Sequence, residues 1–341
     1  MTTPSALWRE ARNPPRHPPT ALTFRNKSVL VTGANSGLGY AASVKYAALG
    51  ASPLLLAVRS EEKGASTKAA IEREVGAEKT KTIKIIPLVL ELSSFASVKA
   101  FLKRFDERLP HQTLDVVLLC AGVALPDFRT SPDGYEMTTQ VNVLSNTLLA
   151  LLLLPKLRAS GAPTGDKGDK DSPSSLPHLC FLNSLASHVV EPKMLPAAAS
   201  GQTLLDHLND RAKFDVTKHY YLAKLAAWFA MSGMIEHPRD FETRDVIINA
   251  CCPGMCRTNM QRDFPFVKRI MAKVSLLPLS RSAEEGSRSL INATGLGPES
   301  NGKFWRNDEF LPPGEMLDSE LGQELYHETW DEILKILKPH L

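Results

Sequence analysis

Within Lys218-His219-Tyr220-Tyr221-Leu222-Ala223-Lys224 a tyrosine stands four residues before a lysine. In a helix that spacing puts Tyr220 and Lys224 on one face, while Tyr221 points about 100° away. A phenol titrating at about pH 10 is a poor proton shuttle at neutral pH. A neighbouring ammonium favours the phenolate and turns the pair into a usable acid and base. Taken alone, the same spacing also fits a packed aromatic beside a solvated charge.

A second constellation precedes it. Thr32-Gly33-Ala34-Asn35-Ser36-Gly37-Leu38-Gly39-Tyr40-Ala41-Ala42 follows an apolar run and opens an amphipathic one. Glycines at Gly33, Gly37 and Gly39 suit a turn that leaves a strand, lets a pyrophosphate approach the backbone and enters a helix whose first amides face the anion. Gly33, Asn35, Ser36, Gly37, Leu38 and Gly39 are therefore candidate phosphate contacts. The next apolar run ends Ala57-Val58-Arg59. An acid at that place suits the ribose hydroxyls of NAD, whereas the planar fork of Arg59 suits the 2′-phosphate of NADP(H).

The elements that must position these residues alternate along the chain. Short β-branched or leucine-rich runs occupy 28–32, 53–58, 83–90, 114–120, 178–182, 246–251 and 303–305. Helical stretches near 38–49, 61–74, 95–109, 135–157, 216–237 and 283–294 lie between them. Repeated βαβ units of this kind predict a single α/β domain, a Rossmann-type doubly wound sheet of seven parallel strands. Residues 1–26 read as a Pro-rich extension. Residues 160–177, rich in Gly, Pro, Ser, Asp and Lys, read as a mobile surface insertion within that domain, because the strand pattern resumes at His178. The region 255–341, with Met260, Phe264, Phe266 and Met271, joins Met194 and Leu195 as the expected apolar wall of a substrate pocket.

Composition narrows the partners. The 341 residues carry 40 Lys and Arg against 37 Asp and Glu, a net of +3 that gives no electrostatic reason to expect nucleic acid. Cys120, Cys180, Cys251, Cys252 and Cys256 show none of the paired spacings of a metal site or disulfide framework, so no metal is expected. The first residues lack the apolar core of a secretory signal, and the longest apolar run, Thr147–Leu154, is far short of the roughly 20 residues a membrane span needs. The expectation is a cytoplasmic protein without a transmembrane segment, with Thr147–Leu154 inside a buried helix.

The order and separation of the glycine turn and the Tyr-x-x-x-Lys resemble the short-chain dehydrogenase/reductase family, and the likeness runs from about Lys27 to Trp330. Leu119-Cys120-Ala121-Gly122 resembles the family's Asn-Asn-Ala-Gly strand end, and Tyr135 to Asn146 its helix with a relay asparagine, here Asn142. Phe181-Leu182-Asn183-Ser184 matches the strand end bearing the catalytic serine. Asn249 to Gly254 with Thr258 resembles the Pro-Gly turn on the nicotinamide side. In finer texture the chain is similar to retinol-dehydrogenase-like members from filamentous fungi.

The resemblance implies Asn142, Ser184, Tyr220 and Lys224 as catalytic residues. It implies a cofactor set of Gly33, Asn35, Ser36, Gly37, Leu38, Gly39, Arg59, Glu91, Ala121, Gly122, Tyr220, Lys224, Pro253, Gly254 and Thr258. In the mechanism it implies, Ser184 and Tyr220 hydrogen-bond the substrate oxygen and Tyr220 handles the proton. Lys224 holds the nicotinamide ribose and lowers the Tyr220 pKa, and Asn142 fixes a water leading to solvent. The cofactor would be NADP(H) and the partner a hydrophobic small molecule such as a polyketide or terpenoid intermediate; a homodimer is left open. Glu91 stands where the family has Asp. Leu119 and Cys120 replace two asparagines, so the hydrogen bonds holding the central helix must be partly rebuilt. Two other readings stay in view: a non-redox step using the same tyrosine, and a silent dinucleotide-binding regulator.

Overall fold

The computed structural model describes residues 3–161, 176–197, 201–237, 243, 245–258, 260, 262–265 and 277–341. Eight strands form one sheet: β1 Val29–Thr32, β2 Leu54–Val58, β3 Ile85–Val89, β4 Val116–Leu119, β5 His178–Leu182, β6 Ile247–Cys252, β7 Phe304–Arg306 and β8 Glu309–Leu311. Their order is β3-β2-β1-β4-β5-β6-β7-β8. The first seven run parallel, and β8 is antiparallel to β7. The sequence reading stopped at seven parallel strands. The eighth arises because Asn307 and Asp308 both take positive φ, 51° and 63°, and turn the chain straight back on β7. Asn and Asp tolerate that two-residue hairpin geometry.

The helices are α1 Pro4–Arg12, α2 Gly37–Ala48, α3 Glu61–Val75, α4 Phe95–Arg108, α5 Asn146–Gly161, α6 Val216–Glu236, α7 Ala283–Ala293 and α8 Glu320–Leu337, with shorter turns between them. Side chains alternate across each strand, yet both faces are covered, which is why the strands read as unbroken apolar runs. Leu30, Leu55 and Val117 face a core built with α4, α5, α6 and α8. Val29, Val31, Leu54 and Leu56 face the other core, shared with Leu38, Tyr46, Ile71 and Leu290 of α2, α3 and α7. Caps set the helix starts: Ser60 accepts from Lys63 N at the head of α3, and Ser282 with Glu285 forms a capping box at α7.

The stretch expected as one helix over 135–157 is not uniform. A turn at Met137–Thr139 passes into a π-helical segment, Gln140–Ser145, before α5 begins. The helical stretch Met137–Gly161 is apolar enough to resemble a membrane span by composition, but 89% of its most apolar window is buried inside the protein. It is a core helix. Of the insertion 160–177 only Ser160, Gly161, Leu176 and Pro177 are described; they lie at the end of α5 and just before β5, at the end of that strand opposite Ser184. The rest, on which the expected mobility falls, lies outside the described residues. The extension 1–26, by contrast, contains α1 and is docked, as shown below.

Candidate active site

The strand order reverses between β1 and β4, and the crevice above that switch point is where open α/β sheets hold ligands. Ala121 N there donates to Thr32 Oγ1 at 2.9 Å, locking the two strand ends together. Gly33 has φ +66°, and a Cβ on it would stand 3.1 Å from the Ala121 Cα. A Cβ on Gly39 would sit 2.4 Å from the Gly33 carbonyl oxygen, so only glycine lets the first turn of α2 pack this closely on the loop. Ser36, the N-cap of α2, makes no side-chain cap bond, which leaves the first amides of that helix without a side-chain acceptor. The donors and the space that a pyrophosphate needs are both in place.

A groove of about 970 Å³, counting space open to solvent, runs across these strand ends. Gly33, Asn35, Ser36, Gly37, Leu38, Gly39, Arg59, Glu91, Ala121, Gly122 and Thr258 all line it. Arg59 is exposed at the end of β2 and makes no ion pair among the described residues. Glu91 accepts from Ser93 N at 3.1 Å, which holds its carboxylate at the groove. Thr258 crosses over the glycine turn: a Cβ on Gly37 would lie 3.3 Å from the Thr258 Cβ. Met260, Arg262 and Asp263 also line the groove; of these the sequence reading had singled out Met260 alone. Pro253, Gly254, Tyr220 and Lys224 stand outside this lining, toward β5 and β6.

Tyr220 and Lys224 sit on α6, whose start is fixed by Asp215 accepting from Thr217 N and Lys218 N at 3.0 and 2.8 Å. Lys224 Nζ donates to the Leu182 carbonyl at 2.9 Å, and Ser184 follows two residues later. Asn183 ties the three elements: its N–H bonds Cys251 O at 2.9 Å, its Oδ1 accepts from Ser184 N at 2.8 Å and its Nδ2 reaches Lys224 O at 3.3 Å. The serine hydroxyl accepts from Ala186 N at 3.2 Å and stands near enough to the Tyr220 phenol to offset part of the effect of its burial. Ser184, Tyr220 and Lys224 are therefore brought together above the ends of β5 and β6.

Burial pushes the Tyr220 phenol well above its ordinary value, and the Ser184 hydroxyl works in the opposite direction. The Lys224 ammonium stands 5.9 Å from the Tyr220 ring centroid and is directed to Leu182 O. Burial likewise pulls Lys224 down from 10.5 to about 8.

Asn142 lies in the π-helical turn, a distortion frequent at functional sites. Its side chain is engaged twice with Val123, Oδ1 accepting from the N–H and Nδ2 donating to the C=O, each at 2.8 Å. Asn146 Nδ2 adds a bond to Ala121 O at 3.1 Å. These bonds rebuild what Leu119 and Cys120 cannot supply. Sequence reasoning missed Glu136 and His219. The fully buried Glu136 accepts from Thr138 N and Thr139 N at 2.7 and 3.0 Å and meets His219 Nε2 at 2.9 Å. The residue before Tyr220 is thus tied to the segment leading into Asn142; a buried acid and histidine 83 residues apart leave no spacing signal.

Of the expected apolar wall, Met194 and Leu195 pack at the edge of the core and Phe264 is half-buried, while Phe266 and Met271 lie outside the described residues. Among the described residues no group of three or more His, Cys, Asp or Glu side chains is placed to hold a metal ion.

Residues 27–166 match the family model described as short chain dehydrogenase. A short-chain dehydrogenase/reductase from Aspergillus flavipes is 37% identical over 330 residues, covering 97% of this chain and 91% of the relative. Another, from Phaeosphaeria nodorum, is 36% identical over 326 residues, covering 96% and 90%. In fold, the NADPH-bound carbonyl reductase from chicken fatty liver is similar with a TM-score of 0.58 at 19% identity, over 86% of this chain and all of that one.

Proposed function

This chain belongs to the short-chain dehydrogenase/reductase family and is an oxidoreductase of that family, and on that premise we propose that it moves a hydride between NADP(H) and the carbonyl or alcohol carbon of a hydrophobic small molecule. The observation that carries the reading is the convergence of Ser184, Tyr220 and Lys224 beside a groove whose glycine turn has no room for a side chain. Arg59, exposed at the groove without an ion pair among the described residues, supports NADP(H) over NAD(H). Met194, Leu195, Met260 and Phe264 favour an apolar substrate of polyketide or terpenoid character.

The bound nicotinamide supplies or accepts the hydride. The chain does the rest. The glycine turn and the first amides of α2 hold the pyrophosphate, Arg59 the 2′-phosphate and Glu91 the adenosine end. Ala121, Gly122 and Thr258 wall the groove, and the Pro253–Gly254 turn beyond them faces the nicotinamide. Ser184 and Tyr220 donate hydrogen bonds to the substrate oxygen and stabilise charge that develops there, with Tyr220 giving or taking the proton at its hydroxyl. Lys224, buried and titrating near 8, holds the ribose and exchanges a proton at little expense near neutral pH. Asn142 fixes the water leading from Lys224 to solvent, and its side chain also holds Val123 through both its oxygen and its amide.

Tyr220→Phe tests the assignment. The variant keeps the ring packing, should fold and bind NADPH, and should lose about 10²–10⁴-fold in NADPH oxidation against a panel of ketones. Turnover at the wild-type level would overturn the mechanism. Product formed by the wild type with no change in NADPH absorbance would replace hydride transfer with a non-redox step.

A further inference from the structure

The Pro253–Gly254 turn is held by a residue that no motif marks. Arg281 is 1% exposed. Its guanidinium donates Nη1 to Pro253 O at 3.2 Å, Nε and Nη2 to Glu10 O at 3.0 and 2.9 Å, and Nη2 also to Asn13 O at 3.1 Å. Glu10 and Asn13 belong to the C-terminal end of α1, where a cation complements the helix dipole. The Arg281 main chain grips the same turn from its far side, its N–H donating to Met255 O and its C=O accepting from Arg257 N, each at 2.8 Å. Gly254 has φ +74°, and a Cβ there would come within 3.0 Å of Arg281 Nη1, so the turn rests against the guanidinium.

We propose that Arg281 is a positioning residue that couples the docking of α1 to the Pro253–Gly254 turn, so that the nicotinamide side of the groove is completed by α1 and Asn13. Burying a guanidinium is expensive unless its N–H groups are met, and here four bonds go to three carbonyls on two segments more than 200 residues apart. A planar fork can span both segments; a lysine's point charge cannot. The chain after α1 is fastened as well. Arg288 Nη1 donates to Pro15 O at 3.3 Å, Asn292 Nδ2 to Arg16 O at 3.2 Å, and Arg16 N to Asp308 Oδ2 at 2.7 Å. Arg306 pairs with the Glu10 carboxylate. The extension is therefore a strap laid along α7 and the β7–β8 hairpin, and its helix closes over the one arginine that also holds the turn.

The functional consequence rests on the proposed placement of the nicotinamide at this turn, and the experiment separates the two. Hydrogen exchange over residues 255–258 and NADPH affinity are measured in the full chain, in Arg281→Met, in Arg281→Lys and in a chain lacking residues 1–13. That last variant leaves Arg281 facing water and keeps the test open if the methionine variant does not fold. Exchange at the turn should rise about tenfold in the methionine and truncated forms, less in the lysine form, with β1 and β2 unchanged, and NADPH affinity should fall about tenfold. Wild-type exchange at the turn in the truncated chain, or an equal rise in β1 and β2, overturns the coupling. Faster exchange at the turn with unchanged NADPH affinity upholds the coupling and removes the nicotinamide from this turn.

Discussion

Replacing Lys224 with methionine should raise stability while abolishing turnover, and the sign of the stability change should depend on pH. The lysine is 7% exposed, and burial lowers its pKa from 10.5 to about 8. Below about 8 both the folded and unfolded chains carry the proton, so the folded state bears the whole cost of the buried cation, about 3 kcal/mol. Between about 8 and 10.5 the unfolded chain holds a proton the folded chain has released, so stability climbs with pH. Above 10.5 the penalty is gone. Methionine fills the same space without charge but orphans Leu182 O, a loss of about 1–2 kcal/mol. The net gain at pH 7 is about 1–2 kcal/mol, an upward Tm shift of about 2 °C for a chain of this size. By pH 10 the order should reverse, with the wild type the more stable. Thermal melts of both proteins without cofactor at half-unit steps from pH 7 to 10 read this directly. A Tm difference that stays constant across that range, or a methionine variant that melts lower at pH 7, would refute the buried-cation argument.

Arg59→Asp should raise the ratio of KM for NADPH to KM for NADH by about 10–100-fold, since a phosphate loses a charge-assisted partner and meets a like charge; steady-state kinetics with both cofactors checks it. Gly39→Ala forces a Cβ to 2.4 Å from a backbone oxygen, so NADPH affinity measured by fluorescence titration should fall more than tenfold, and stability by about 1–3 kcal/mol. His178 is 2% exposed, and burial holds its pKa down at about 4. Its contribution is complete above 6.5 and lost as pH falls toward 4, up to about 3 kcal/mol; His178→Leu should flatten that part of the acid limb in urea melts at pH 7 and 4.5.

Seven strands, six helices, the glycine turn and the Tyr220–Lys224 face are legible in the sequence because each is a local pattern. A strand buried on both faces has to be an apolar run, a helix has to repeat at its own pitch, and Gly33 and Gly39 stand where the backbone has no room for Cβ. The short β8 strand lacked such a pattern, although Asn307-Asp308 carried the turn signal. The π-helical turn at Asn142 left no trace, since a short π segment in a helix needs neither Gly nor Pro. Tertiary structure alone decided what polar groups touch. Glu136 meets His219, Asn142 meets Val123 and Arg281 meets Glu10 across separations that composition does not record. It also decided the charge at the site. Lys224 reads as a solvated cation beside a tyrosine until folding removes its water and turns it toward Leu182, and desolvation depends on every element packed around a group, not on its neighbours in the chain.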